Sequence, residues 1–501
     1  MLLWQGSTPE LLQLLSNDPP AQLNTDPLNA KRHMLRAISY SRLGQLPQAD
    51  TELSEAKSLC STEDCEFAGE LARTSGVVAL NRDDVDTATQ YFRKSLQIAR
   101  DRHDGFAEAT ALLNLCWVSL GERHYDESIE WANLAFAAAQ KLDARQIMEK
   151  ASGNRGWAYY KMGDFDRALA QVTEAEEGAA QSGLVIDQVE WLNNHGLIYF
   201  QLGQLDSAEK FFRKSFDLVQ ATQNRTQIVD SLNSLSYVMV ETGQLDTART
   251  YNDQAFALTR DTNDRMSELP TLLIRGMILA RTGDNGAQNM LTDVATDSKS
   301  DPSVRWEAEN ELAKLAEHEG RLADASKSYL AAIGIVEKAR GQLQHEDSRL
   351  PFMANAAHLY DDYIRFLIKQ GKTDDALRAA SYSRAQTLTE GLEVHQKSPS
   401  ALAFDARRAA RQQNATILFY WLSARESYLW AITPQQIQLF PLPASASIAE
   451  QVNTFRKALT GPRDPLDSGR ETGAFLFETL VVQLVHTFPR MPASSSSRTV
   501  V

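Results

Sequence analysis

No stretch of the sequence approaches ~20 uninterrupted apolar residues, so nothing in it reads as a membrane-spanning helix. Residues 1–9 lack the basic and apolar regions of a signal peptide. Cysteine is scarce: Cys60, Cys65 and Cys116 are odd in number and too few for a disulfide framework. Cys60 and Cys65 have no histidine nearby, so they read as semi-buried thiols rather than zinc ligands, in a reducing cytoplasm. Positive charge is in deficit, with 51 Lys plus Arg against 65 Asp plus Glu and a net charge of −14. An acidic surface repels phosphates, which argues against nucleic acid as a partner. There is no Gly-x-Ser-x-Gly elbow and no His-Glu-x-x-His helix, and Gly469–Gly473 lacks the Lys-Ser/Thr end of a phosphate loop. His345, Glu346 and Asp347 concentrate ionisable groups in what reads as a solvated loop. No cofactor and no metal are expected. What is present is an ordinary globular apolar content, 43% of 501 residues. That suffices for two or three domains, or for a repeat array with something attached.

A period of forty residues organises the first half. One column reads Gly76, Cys116, Gly156, Gly196, Ser236 and Gly276; another reads Ala88, Ser128, Ala168, Ala208 and Ala248. Asp86, Asp126, Asp166, Asp206 and Asp246 form a third, and Gly163, Gly203, Gly243 and Gly283 a fourth. Each row reads as two helices. The first, as in 188–201, carries Trp191, Leu192, Ile198, Tyr199 and Leu202 at helical spacing and ends at Gly203, which tolerates a left-handed C-terminus. The second is expected to be capped by Asp206, at ~1 kcal/mol per cap. Small residues at 196 and 208 allow close approach of the pair, while Phe211, Phe212 and Phe216 fill space towards the next repeat. No single hairpin covers its own apolar faces, but stacked ones do.

The row over residues 191–212 is similar to a tetratricopeptide repeat, with Gly196, Tyr199, Gly203, Ala208 and Phe212 at that family's spacing. Matching rows centre on Gly156, Tyr159, Gly163 and Ala168, and on Ser236, Gly243 and Ala248. The forty-residue length resembles the kinesin-light-chain type, and weaker rows extend the resemblance over residues 30 to 395. The resemblance implies a mainly α fold: a right-handed α-solenoid whose concave face is built from the first helices.

Asparagines recur on those helices. Asn114, Asn154 and Asn194 lie forty apart, and Asn193 and Asn233 form an adjacent column. Asparagine is a poor helix-interior residue because its amide competes for backbone hydrogen bonds. In related arrays asparagines at this motif position line the groove and hold an extended peptide, whose backbone suits an amide's donor and acceptor. The alternative is that each amide bonds the adjacent repeat and sets the stacking angle. Arg155 and Arg275 share a column that His195 and Leu235 interrupt, so a basic clamp has little support.

Three longer helices are expected over 323–344, 349–370 and 373–394, then a linker over 396–415. Beyond it, 416–422, 427–433 and 437–442 read as three short strands joined by tight turns. Two helices follow, 448–459 with Ile448, Val452, Phe455 and Leu459 on one face, and 472–487; Arg498–Val501 looks like the opening of a strand. The passages at 381–388, 417–443 and 477–501 resemble the start of a CHAT domain, a caspase-like peptidase module found behind tetratricopeptide repeats. In that family the catalytic histidine and cysteine lie downstream of a Pro-Asp-Gly turn that would follow Val501. His486 has no cysteine in its own module, so no catalytic role carries over and the chain as given is expected to be inert. The reading is thus an array over 1–395 and a small, incomplete α/β module over 416–501, the whole serving as a cytoplasmic protein-interaction scaffold for a peptide or protein segment. Two alternatives stand beside it: a truncated form of a repeat-regulated cysteine peptidase, and repeats that mediate self-association.

Overall fold

The computed structural model describes residues 8–17, 24–61, 65–222, 224–260, 264–341, 356–390, 406–423, 425–460 and 470–482. The expectations at 345–347, 396–401, 469 and 483–501 lie outside them. The chain divides into two compact units, Met1–Asn355 and Ala356–Val501.

The first unit opens with α1 (Thr8–Ser16) and continues as helix pairs. These are α2 (Asp26–Arg42) with α3 (Leu46–Leu59), α4 (Ala68–Leu80) with α5 (Val85–Asp101), α6 (Gly105–Gly121) with α7 (Tyr125–Gln140), and α8 (Arg145–Met162) with α9 (Phe165–Ser182). Then come α10 (Val185–Gln201) with α11 (Leu205–Val219), α12 (Arg225–Glu241) with α13 (Leu245–Thr259), α14 (Arg265–Thr282) with α15 (Ala287–Thr296), and α16 (Pro302–His318) with α17 (Leu322–Arg340). They stack as a right-handed α-solenoid.

Both turn columns have a backbone reason. Gly163, Gly203, Gly243 and Gly283 end their first helices at φ of 81°, 72°, 77° and 72°, where a Cβ is strained. Asp83 and Arg123 hold the equivalent turns at φ 61° and 65°. The aspartate column does not supply the caps. In two hairpins the residue before the second helix does so, Asp84 accepting from the Thr87 amide and Asp164 from the Arg167 amide, whereas His124, Gln204 and Gln244 at the same place make no such bond. Asp86, Asp166, Asp206 and Asp246 sit inside the first turn, where a negative charge meets the positive end of the helix dipole. Their contribution is therefore ~0.3–1 kcal/mol each rather than that of a cap.

Gly76, Gly156 and Gly196 of the small-residue column each face a residue sixteen positions later, and Gly276 faces Leu291. A Cβ on Gly196 would press into the Phe212 ring, and one on Gly156 would lie 2.7 Å from Val172 Cγ2. Phe212 therefore fills space inside its own hairpin, where it is fully buried. Cys116 and Ser236 in the same column instead meet their second helix through Ser128 and the Ala248 carbonyl.

The second unit starts 40 residues before the expected boundary at 395, so two helices assigned to the array belong to it: α18 (Ala357–Lys369) and α19 (Thr373–Glu390). After α20 (Ala406–Gln413) the strands β1 (Ile417–Trp421), β2 (Ser427–Ile432) and β3 (Ile437–Leu442) form an antiparallel meander of order β1-β2-β3. In its register Phe419 opposes Trp430, and Trp430 opposes Leu439. The sheet is tied to the helices by Trp421 Nε1, which donates to Asp361 Oδ1 at 2.6 Å. The central strand is wholly buried: Trp430 Nε1 donates to the Thr373 carbonyl of α19 on one face, while Leu429 and Ala431 pack with Ile448 on the other. Next are α21 (Ser445–Thr460) and α22 (Arg470–Phe477), the latter continued by a π-turn over Glu478–Val482. Of the face expected on α21, Ile448 is buried and Phe455 half-buried against Gly473, but Val452 and Leu459 are 43% and 50% exposed.

Candidate functional site

The first helices of successive repeats, from α2 through α16, lie against one another, whereas the second helices pack mainly on first helices. The first helices are thus the inner layer and line a groove. The array curls far enough that the turn after α6 meets the start of α16. Arg123 reaches Asp301 at 3.5 Å, beside the buried Tyr125. Burial alone would raise the Asp301 carboxyl, but Lys161, Ser303 and Arg123 outweigh it and hold it below the ordinary range.

The five asparagines lie on this inner layer but differ in their surroundings. Asn154, 6% exposed, hydrogen-bonds the buried Cys116 thiol of the preceding repeat. Asn233, also 6% exposed, accepts from Thr271 Oγ1 of the following repeat at 3.0 Å. For these two, the bond to an adjacent repeat weighed at the sequence level is present. Asn194 is 7% exposed. Asn114 and Asn193 are half-buried and keep unused capacity: Asn114 Nδ2 and Asn193 Oδ1 have no partner. Arg155 and Arg275 instead bond Gln171 and Asp253 of the second helices.

The inner face also carries a column that the sequence reading missed. Trp117, Trp157, Leu197, Tyr237 and Met277 recur at the same forty-residue spacing, one helical turn beyond the asparagines. Trp117 is 54% exposed, Trp157, Leu197 and Tyr237 are partly so, and Met277 is buried. Trp157 stacks on Tyr160 at 4.9 Å, and Phe200 on Tyr237 at 4.7 Å. The Lys161 ammonium sits 4.8 Å from the Trp157 ring centroid. Spacing alone was the signal.

Charge is distributed unevenly along these helices. Near the C-terminal ends of α14 and α16, the fully buried Glu311 carboxylate is matched by Arg281 at 2.5 Å and Lys314 at 3.0 Å. Near the N-terminal ends of α8, α10 and α12, acid exceeds base. Lys150 is paired with Asp187 at 2.6 Å. The buried Glu149 accepts from Trp191 Nε1 through one oxygen, while Oε2 has no partner. Burial first, then Asp187, pushes its carboxyl up to about 8. Burial, opposed by Lys150 and reinforced by Asp187 and Asp230, pushes Glu190 up to about 7. Asp230, exposed on one side but closely surrounded by protein, has its carboxyl raised to about 6 by partial desolvation and by Asp264. Among the described residues no three His, Cys, Asp or Glu side chains are placed to hold a metal ion. No described helix is long and apolar enough to cross a membrane.

Cys60 and Cys65 are not thiols but a disulfide, with Cα atoms 5.4 Å apart. The short turn between α3 and α4 brings them together, which a count of cysteines could not show. Cys116 is the free cysteine of the described residues, buried beside Ser128, and burial holds its thiol up at about 11.

Residues 187–261 match the model of the tetratricopeptide repeat family. These are tetratricopeptide repeats. Comparison with curated proteins finds no match. Among solved structures, a Rap protein complexed with Competence and Sporulation Factor superposes with a TM-score of 0.53 at 15% identity, covering 68% of this chain and 98% of that one. The apo form of the quorum sensor NprR from B. thuringiensis gives 0.48 at 14% identity, with 65% and 91% covered. The apo form of RapI gives 0.47 at 14% identity, with 55% and 99% covered. At these identities the likeness is one of fold.

Proposed function

We propose that the tetratricopeptide array is a protein-interaction module whose groove binds an extended peptide or protein segment, with Asn114, Asn154, Asn193, Asn194 and Asn233 along its path. The observation that carries the reading is the pair of unused amide groups, Asn114 Nδ2 on the helix of the exposed Trp117 and Asn193 Oδ1 on α10. An unmatched donor on α6 and an unmatched acceptor on α10, two repeats further along, suit a carbonyl and an amide at separate points of an extended peptide backbone. The Rap structure with Competence and Sporulation Factor is similar in fold and lends the reading support by analogy.

The second unit is read as a CHAT-like module without its catalytic region, supported by the helix pair, antiparallel meander and helix in that order. Its inertness is supported by the cysteines: two are bridged and the third has a thiol held far from ionisation. A cytoplasmic site of action requires the Cys60–Cys65 bridge to be reduced in the cell, which thiol labelling after rapid acid quenching measures.

The test is selection of a displayed random heptapeptide library on the full chain and on Asn193→Ala and Trp117→Ala variants. Peptides selected by the wild type should bind either variant at least about tenfold more weakly, with thermal stability little changed. Equal binding by wild type and both variants would place the peptide elsewhere.

A further inference from the structure

A charge inside a folded chain is ordinarily matched, because leaving it uncompensated is costly. The groove obeys this at one end, where Glu311 takes both Arg281 and Lys314. It departs from it at the other. Among the described residues the half-buried Glu190 and the solvent-exposed Asp230 have neither a hydrogen bond nor an ion pair, and Lys150 is already engaged by Asp187. Glu190 and Asp230 occupy equivalent positions forty residues apart on α10 and α12, one turn before the asparagine column. They are close enough for Asp230 to disfavour ionisation of Glu190. The orphaned Oε2 of Glu149, a side chain 4% exposed, borders the same cluster and feels both Asp187 and Glu190. One turn beyond the asparagines, towards the other helix ends, lies the aromatic column, with Trp117 54% exposed and Trp157 partly so. An exposed tryptophan, with a second at the equivalent position of the next repeat, is a seat for a large apolar side chain.

We propose that the groove is specific for a cationic segment: its occupant sets a lysine or arginine side chain between Glu190 and Asp230 and a large apolar side chain on Trp117 and Trp157. This rests on the groove reading above and adds to it the chemistry of the partner. Geometry supports it, since the carboxylate and aromatic columns flank the asparagines, so side chains leaving the backbone in opposite directions reach one each. In an extended peptide neighbouring side chains do so. The chain's net charge of −14 adds long-range attraction for a cation. Ionisation runs the same way. A cation draws the proton from Glu190 and Asp230, so binding strengthens as pH rises from about 6 to about 8.

The experiment uses the heptapeptide library on the full chain and on a Glu190→Gln, Asp230→Asn double variant. The substitutions are isosteric and remove no existing pair, and circular dichroism melting checks that the variant folds. The wild type should enrich lysine- or arginine-bearing peptides that also carry a large apolar residue. Those peptides, labelled and titrated by anisotropy, should bind the double variant about tenfold more weakly, and the wild type more weakly at high salt. Selected peptides that depend on Asn193 and Trp117 but show no basic excess, or that bind the double variant equally well, would overturn the cationic assignment and leave the groove reading standing. If no peptide depends on Asn193 or Trp117, both fail together. Should the double variant not fold, the composition of the wild-type selection and its salt and pH dependence decide alone.

Discussion

Replacing Gly196 by alanine adds one methyl group where the structure has no room for it. The new Cβ would lie 2.9 Å from Phe212 Cζ and closer still to two other ring carbons. Phe212 cannot swing away, being fully buried in a cluster with Leu235, Val238 and Met239. Such overpacking costs ~1–3 kcal/mol, and sometimes more, against a helix-propensity gain of ~0.5–1 kcal/mol. The net expectation is a loss of ~1–2 kcal/mol. Gly334 provides the control. It sits inside α17, exposed, with nothing within 4 Å of an added Cβ, so Gly334→Ala should stabilise by ~0.5–1 kcal/mol. Urea denaturation followed by far-ultraviolet circular dichroism should move the two midpoints in opposite directions at unchanged slope. A Gly196→Ala protein as stable as the wild type would refute the reasoning that close approach, rather than turn geometry, fixes glycine in this column.

Three further outcomes are expected. Because the Glu149 carboxyl is raised to about 8, its folded form holds a proton more tightly than the unfolded chain, so wild-type stability falls as pH rises from about 4.5 to about 8. Glu149→Gln removes that dependence, and its melting temperature should gain on the wild type across this window by the equivalent of a few kcal/mol, on the order set by the shift; parallel curves would contradict the assignment. Asn233→Ala leaves the fully buried Thr271 hydroxyl without its acceptor and should cost ~1–3 kcal/mol, whereas Asn193→Ala should cost less than ~0.5 kcal/mol in the same denaturation assay. Cys60→Ser opens the bridge between α3 and α4 and should lower the stability of the oxidised protein by up to ~2 kcal/mol, with no effect under strong reductant.

Much of the array was legible because its constraints repeat. Gly203 and Gly243 mark turns that need a left-handed residue, and Gly196 and Ala208 mark the line of closest approach, so each appears at fixed spacing. The aspartate column was legible as a position but not as a role, since a cap and a first-turn charge differ by two residues and by where the helix begins. The asparagines illustrate a deeper limit. Asn114 and Asn154 stand in one column, yet the second spends its amide on Cys116 and the first keeps a nitrogen unused, a difference made by the side chains that adjacent repeats bring alongside. The aromatic column from Trp117 to Met277 was hidden because its members vary in type and in exposure. The helices of 357–390 read as a continuation of the repeats, because only the side-chain bonds of Trp421 and Trp430 reveal that they serve the sheet.

Hydrogen exchange by mass spectrometry, on the full chain with and without a peptide selected from the heptapeptide library, tests the central claim most directly. Slowed exchange concentrated in α6, α8, α10 and α12 and at the turn holding Arg123, with α7, α9, α11 and α13 unchanged, is the predicted result. Protection confined to the second helices, or to residues 356–482, would contradict it.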